Sequence, residues 1–524
     1  MCGICVTWSS GSNAAEFTDR LKTLVPRGPD STNTCTVTVF DSICHIGFTR
    51  LHIQGAPGLE QPFRNDDRIV LCNGEIFNSQ TLVETLDLKL PKGSSDCAVI
   101  PAMLDLGMPL TEVSRQLDGD FAIVVVNLKN GYIEVSRDPY GVRPMYLIYK
   151  EDTCSLVSEL KAAPKDATYI HTIVPGHAYK IEVTTGDYTK EQWHQVPWLK
   201  NPSLNGPKAS EALRIALEAA VQKRLTTVRE LGACLSGGLD SSLVAAIAAR
   251  YMREKGLRLH TYSIGMEGSP DLKHARLVAD HIGSIHHERL ITPADCLAAV
   301  PDVIYGVETC DITTVRASVG NFLLGRFIAE VTPTVKVVLN GDGADEALGG
   351  YLYMRSAPSN VAFETETDRL LTEIHMYDVA RSERSMAAHG LESRSPFLDR
   401  QFISVARSIP TRLLRPTDQT IEKSVLRRAF SYGLLPDAVL WRRKEAFSDG
   451  ISPAGIPWFH AAGSQVIEDA KQYTINPPKT LEALWYRQLF VSHFSDWATI
   501  PAMWMPRFVT ATDPSARTLQ DYKS

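Results

Sequence analysis

GACLSGGLDSSLVAAIAARYMREKG (232–256) runs from a short apolar stretch through a turn of small residues into a long, alanine-rich helical segment. Strand, tight loop and helix in that order form the first unit of a parallel sheet with helices on both faces. LHTYSIGM (259–266) and VKVVLNGDGADE (335–346) repeat the design, an apolar strand followed by a small-residue loop. A helical stretch from Ala209 to about residue 225 leads in, and the chain from 368 onward reads as mostly helical. These stretches predict an α/β domain with a helical C-terminal part.

The loop LSGGLDSS (235–242) carries the chemistry of this half. Small residues let several backbone N–H groups point inward, and the helix N-terminus adds positive potential, so phosphate binding is physically natural. The pattern GxxxxGK[ST] is absent because no lysine follows, so a Walker-type γ-phosphate transferase is not supported. Asp240 at the loop, with Asp345 in NGDGADE, supplies the carboxylates Mg²⁺ takes alongside phosphate oxygens. The alternative makes Asp240 a helix N-cap-type residue.

Upstream, residues 1–190 have a different texture. CTVTVFDSICHIGFTRL (35–51) and GYIEVSRDPYGVRPMYLIYKEDTCSLVSE (131–159) alternate apolar and polar residues between turns, as hairpins do. Helical segments are expected near 14–24 and 95–107. The proline-rich stretch HQVPWLKNPSLNGPKAS (194–210) reads as a linker. The expected organisation is an α+β domain over 2–190, a linker over 191–208 and the α/β domain over 209–524.

Cys2 follows the initiator Met, which aminopeptidases remove before small residues. Removal leaves a thiol and an α-amine on one residue, and an amine of pKa about 7.7–8.0 is suited to take the thiol proton. Against this, any second residue can be Cys by chance. Cys2 and Cys5 also form a CxxC pair, but redox motifs of that type open a helix and GICVTW is strand-like. A zinc site would need a second pair, for which Cys44/His45 is a poor choice. Cys5 is expected in the core.

Composition bounds the function classes. The chain has 524 residues, 44% apolar and 22% charged, which excludes fibrous and disordered proteins. Lys and Arg number 54 against 60 Asp and Glu, so nothing electrostatic recommends nucleic acid or an anionic membrane as partner. No apolar run approaches the ~18 residues of a membrane span. MCGICVTW lacks a basic region before its apolar stretch, so a secretory signal is not expected. Ten cysteines without a framework fit a reducing compartment, here the cytoplasm.

RGPD (27–30), GFTRLHI (47–53), EQPF (60–63), CNGEIFN (72–78), SSDC (94–97), LDGDFAIVV (117–125) and RDPYGVRPMY (137–146) follow Cys2 in order. The set resembles the class II glutamine amidotransferase domain, an N-terminal-nucleophile (Ntn) sandwich that hydrolyses glutamine to glutamate and ammonia. The resemblance implies Cys2 as nucleophile and the Asn73 side chain and Gly74 N–H as oxyanion donors. It implies a glutamine pocket of Arg50, Leu51, His52, Ile53, Gln54, Asn73, Gly74, Glu75 and Asp96. Arg50 would take the substrate α-carboxylate, and Glu75 and Asp96 its α-ammonium end.

SGGxDSS similarly resembles the PP-loop of ATP pyrophosphatases. With SIGMEGSPDLKHARLVADHIGSIHHE (263–288), VIYGVETCDITTVRAS (303–318), LNGDGADEALGGYLYMRSAP (339–358), HMYDVARSERSMAAHGLESRSPFLD (375–399) and WRRKEAFSDGI (441–451), it narrows the resemblance to glutamine-hydrolysing asparagine synthetases of bacterial type. This implies aspartate, ATP and glutamine as substrates, Mg²⁺ as cofactor, and a homodimer as in the bacterial branch. It also implies a nucleotide site of Leu235, Ser236, Gly237, Gly238, Asp240, Ser241, Ser242, Ile264, Asn340 and Gly341. The remaining roles so implied are Lys444 on the phosphates, Thr314, Arg316 and Asp378 in the aspartate and intermediate pocket, and Asp240 with Asp345 on the metal.

Two residues depart from the family's pattern. Where the family reads SGEGSDE this chain reads NGDGADE, so Asn340 replaces Ser and Asp342 replaces the Glu proposed to act on ammonia. Asp keeps the carboxylate but is one methylene shorter; alternatively it caps the following helix. Two rivals stand beside this reading: a β-lactam-synthetase-like ligase, which typically lacks the N-terminal Cys, and a silent regulatory protein on the same fold.

Overall fold

A computed structural model describes residues 1–11, 13–417, 419–453, 457–466, 473–494, 500–511 and 513–515. Its N-terminal part is a sandwich of two six-stranded sheets, antiparallel as expected. Gly3–Ser9 lies inside the first sheet, paired with Ser42–Arg50 on one side and Thr153–Val157 on the other. Arg68–Ile76 lies in the second, paired with Gly119–Asn127. Ile4, Val6 and Trp8 from the first sheet meet Leu71, Val124 and Val135 from the second in one dry core. The outer faces carry helices: Ala14–Lys22 packs Phe17 and Leu21 on the first sheet, and Val99–Asp105 packs Val99, Ile100 and Met103 on the second.

The alternating stretch 131–159 divides between the two sheets. Tyr132–Arg137 belongs to the second sheet, whereas Tyr146–Lys150 and Thr153–Val157 form a hairpin in the first. The intervening chain crosses the sandwich because buried Arg137 and Asp138 tie it down. Arg137 donates to the carbonyls of Arg143, Gly141 and Ile173, and Asp138 accepts from the N–H groups of Tyr140, Val142 and Arg143.

Residues between Gln192 and Gly206 carry no helix or strand, and Gly206–Lys223 then opens the second half. Its five-stranded parallel sheet has the spatial order Ile285–Leu290, His260–Gly265, Glu230–Cys234, Val335–Leu339, Glu392–Arg394. Chain order therefore reverses between Glu230–Cys234 and Val335–Leu339. Such a switch point leaves a crevice at the strands' carboxyl ends where ligands bind. The phosphate loop follows one of these strands and NGDGADE the other. The elements described from 368 on are otherwise helices, as expected, and the last strand, three extended residues, leaves no alternation to read.

The halves meet over buried polar contacts. Arg27 pairs with Glu159 of its own half and with Glu383 of the other, and the Glu308 carboxylate accepts from the N–H groups of Leu160 and Lys161. Val228 N–H donates to the Ile53 carbonyl at 2.9 Å. No helix among the described residues is long and apolar enough to cross a membrane.

Candidate active sites

The first site lies where the strand starting at Gly3 meets the end of Arg68–Ile76. Cys2 is half-buried, and its backbone N–H donates to Asn73 Oδ1 at 3.0 Å. Asn73 is fully buried and its Nδ2 has no partner. A buried, unspent donor beside a thiol is what an oxyanion requires. Gly74 sits where the next strand comes closest, and a Cβ there would collide with the Asp120 carbonyl and Phe121. The Cys2 Sγ lies 4.0 Å from the Leu51 carbonyl. Burial pushes the Cys2 thiol up and pulls the Met1 ammonium down to about 6.

The other residues expected in the glutamine pocket have definite partners. Arg50 Nη1 is 3.1 Å from Glu60 Oε1, and its Nη2 donates to the Gln54 carbonyl at 2.9 Å. His52 is fixed by Asp30 and by the Gly55 carbonyl. Gln54 Nε2 donates to Glu75 Oε1. Asp96 accepts from Ile76 N–H at 2.6 Å, and burial raises it to about 6. Burial, with Asp96 next to it, also drives Glu75 well above the carboxylate range.

The second site is the crevice at the switch point. Ser236 N–H and Oγ both meet Ser241 Oγ, at 3.2 and 2.9 Å, closing the loop on itself. Gly341 packs against the Asp240–Ser241 backbone with no room for a Cβ, so the two strand-end loops touch directly. Leu235, Ser236, Gly238, Asp240, Ser241, Ile264, Asn340, Gly341, Asp342, Asp345 and Lys444 line one cavity, together with Thr314, Arg316 and Asp378. Gly237 and Ser242 stand behind it; Gly237, at φ +72°, abuts Ala275 N, and Ser242 N–H donates to the Gly238 carbonyl.

Two lysines and two aspartates meet in this cavity. Lys444 Nζ is 2.6 Å from Asp345 Oδ2. Lys423 Nζ is 2.6 Å from both Asp240 Oδ2 and Asp345 Oδ1. Burial opposes ionisation of Asp345, but the two ammonium groups outweigh it and hold the carboxyl below the usual range. Lys423 was not foreseen. It lies 183 residues from Asp240 in a segment without a motif, and only the fold brings it there. The residues fit Mg²⁺: two carboxylates share the cavity, and Asp240 Oδ1 is buried without a hydrogen-bond partner.

The remaining residues have definite partners. Thr314 donates through N and Oγ1 to Asp311. Arg316 is held by Glu482, at 2.9 and 2.6 Å, and by Asp513, at 2.9 Å to each oxygen, so carboxylates of the protein itself occupy its fork. Asp342 and Asp378 share Arg381, at 2.5 and 3.0 Å. Asn340 donates to Ser393 Oγ at 2.7 Å and accepts from Asp342 N–H at 3.1 Å. Asp342 does not cap the following helix, whose N-cap is Gly343.

Comparison with known proteins finds two families along the chain. The family described as Glutamine amidotransferase domain covers residues 1–181, and Asparagine synthase covers 212–368 and 357–507. Proteins named asparagine synthetase (glutamine-hydrolyzing) from Gallus gallus, Mus musculus and Homo sapiens are each 38% identical to this chain. The alignments span 564, 565 and 565 residues, covering 100% of the chain and 99% of each relative. These relatives are vertebrate, so they speak for the family and not for its bacterial branch. An N-terminal cysteine backed by a buried asparagine, a phosphate loop at a switch point and full-length similarity agree: the chain belongs to the glutamine-hydrolysing asparagine synthetases.

Proposed function

We propose that the chain makes asparagine from aspartate, with glutamine as nitrogen donor and ATP cleaved to AMP and pyrophosphate. The observation that carries this is the pairing in one chain of Cys2 beside the unspent Asn73 Nδ2 with a phosphate-loop crevice holding Asp240, Asp345 and Lys444. Residues 2–190 are the glutaminase, 191–208 the linker and 209–524 the synthetase.

Once Met1 is removed, the Cys2 amine takes the thiol proton, and the sulfur attacks the glutamine side-chain amide carbon. Asn73 Nδ2 and Gly74 N–H receive the oxyanion. The amide nitrogen leaves as ammonia, and water then cleaves the thioester to glutamate. Arg50 takes the substrate α-carboxylate bidentately; Glu75 and Asp96 take its ammonium. In the crevice, the aspartate β-carboxylate attacks the ATP α-phosphorus and pyrophosphate leaves. Ammonia then attacks the acyl carbon and AMP leaves.

Loop N–H groups at 236–242 and the helix N-terminus receive phosphate oxygens, and Lys444 neutralises their charge. Leu235, Ile264, Asn340 and Gly341 border adenine and ribose. Asp240 and Asp345 would hold Mg²⁺, which supplies further phosphate neutralisation when bound. Thr314 and Asp378 serve the aspartate pocket; Arg316 serves it through the segment it anchors.

A cytoplasmic setting is carried over from the sequence, whose ten cysteines are scattered without a framework. A homodimer is carried over from the resemblance and is checked by light scattering. The function is tested by measuring pyrophosphate and asparagine formation with aspartate, ATP and either glutamine or ammonia. Pyrophosphate without asparagine would favour another ATP-dependent ligase; neither product would favour a silent homologue.

A further inference from the structure

Arg394 belongs to the synthetase sheet yet reaches the glutamine pocket. It is fully buried, and its Nη2 lies 3.2 Å from Glu75 Oε2. The rest of the guanidinium is fixed from its own half: Nε donates to Glu392 Oε1 at 2.8 Å, and Nη1 donates to the carbonyls of Arg224 and Thr226 at 2.7 and 2.8 Å. Nη2 makes no well-directed hydrogen bond, so its approach to Glu75 is a charge contact. The backbone of the same residue faces the other site, where its carbonyl accepts from Asn340 N–H at 3.0 Å.

Glu75 needs such a contact. Asp96 and Cys97 face it from the turn Asp96–Ala98, Glu392 from the synthetase strand, and Asp120 from the register position opposite. Gln54 contributes a neutral donor. Arg394 is the cation acting directly on Glu75, while Arg143 and Arg224 act on Asp120. With Arg394 in contact, burial and Asp96 still hold Glu75 above the carboxylate range; without that cation the pair would move further toward its protonated form, which offers an ammonium group less charge.

We propose that Arg394 is a positioning residue of the glutamine pocket: contributed by the synthetase half, it holds Glu75 in place and in register to receive the α-ammonium group of glutamine. The inference rests on the reading of Glu75 and Asp96 given under Proposed function. It makes the glutaminase site incomplete without the other half.

The test is the pH dependence of glutamine KM in full-length Arg394→Met and Arg394→Lys, with thermal unfolding to verify folding. Removing the cation raises the pKa of the Glu75–Asp96 pair, so acid weakens glutamine binding earlier. In Arg394→Met, KM should rise at least about fivefold more at pH about 6.5 than at pH about 8.5, with a smaller change in kcat. Arg394→Lys keeps the charge and should raise KM while retaining a profile close to wild type; it carries the test alone if the Met variant does not fold. A KM and profile equal to wild type in the folded variants overturns the inference alone. Wild-type protein that does not hydrolyse glutamine overturns the reading of the pocket and the inference with it.

Discussion

The Asp342 carboxylate is bound by Arg381, 2.5 Å from Nη2, and the same guanidinium holds Asp378 at 3.0 Å. The Asp342 carboxylate, one methylene shorter than the family's Glu, thus stands in an ion pair, with its backbone pinned by the Asn340 side chain. Asn340 and Asp342, the two departures from the family pattern, are therefore joined to each other.

Asp342→Asn should slow asparagine formation at saturating ammonia by about tenfold to a hundredfold, the worth of a charged hydrogen bond of ~1.5–3 kcal/mol. ATP binding should change far less. Asp342→Glu should retain activity or raise it. Near-wild-type turnover in Asp342→Asn would remove the carboxylate from the reaction.

Asp240→Asn takes one carboxylate from the pair proposed to hold Mg²⁺ and one partner from Lys423. Pyrophosphate release should stop while glutamine hydrolysis continues, because the first site lies in the other half. Normal pyrophosphate release by this variant would end the metal assignment.

Lys423→Met leaves Asp240 and Asp345 buried with one cation fewer. Breaking a buried pair in this way costs about 3–5 kcal/mol. Lower unfolding temperature and lost pyrophosphate release are expected, with Lys423→Arg restoring part of both. An unchanged melting curve in Lys423→Met would contradict the charge balance drawn here.

Asp96 supplies a pH prediction. Burial raises its folded value to about 6, from an unfolded value near the ordinary 3.8. As pH falls through about 6 the folded protein takes up the proton, so glutamine loses a partner for its ammonium and KM should rise. Stability moves the other way: the folded state binds more protons between the two values, so this group favours folding at the acid end of that window and ceases to as pH rises through about 6. A glutamine KM that is flat from pH about 5 to 8 would remove Asp96 from the pocket.

The site residues picked out from the sequence are those that sit in short contiguous motifs. Residue type and local backbone carry the phosphate-loop reading of 235–242 and the thiol–amine reading of Cys2, whereas Asn73 and Gly74, inside the strand Arg68–Ile76, are reached through the resemblance. Lys423 lies outside every quoted motif, and Arg381 and Arg394, though inside the stretch 375–399, are not singled out by it, since the role of each exists only once the sheet has formed. Arg394 was hidden further by a strand too short to alternate. Arg316 shows the converse: its motif was legible, but its capture by Glu482 and Asp513 depends on a C-terminal segment without pattern.

The most direct test of the whole account is asparagine synthesis by wild type and Cys2→Ala, with amide-¹⁵N-labelled glutamine or with ammonia. Wild type should place the label in asparagine and release one AMP and one pyrophosphate for each asparagine formed. Cys2→Ala should lose the glutamine-driven reaction and keep the ammonia-driven one. Labelled asparagine from Cys2→Ala, or ADP and phosphate in place of AMP and pyrophosphate, would contradict it.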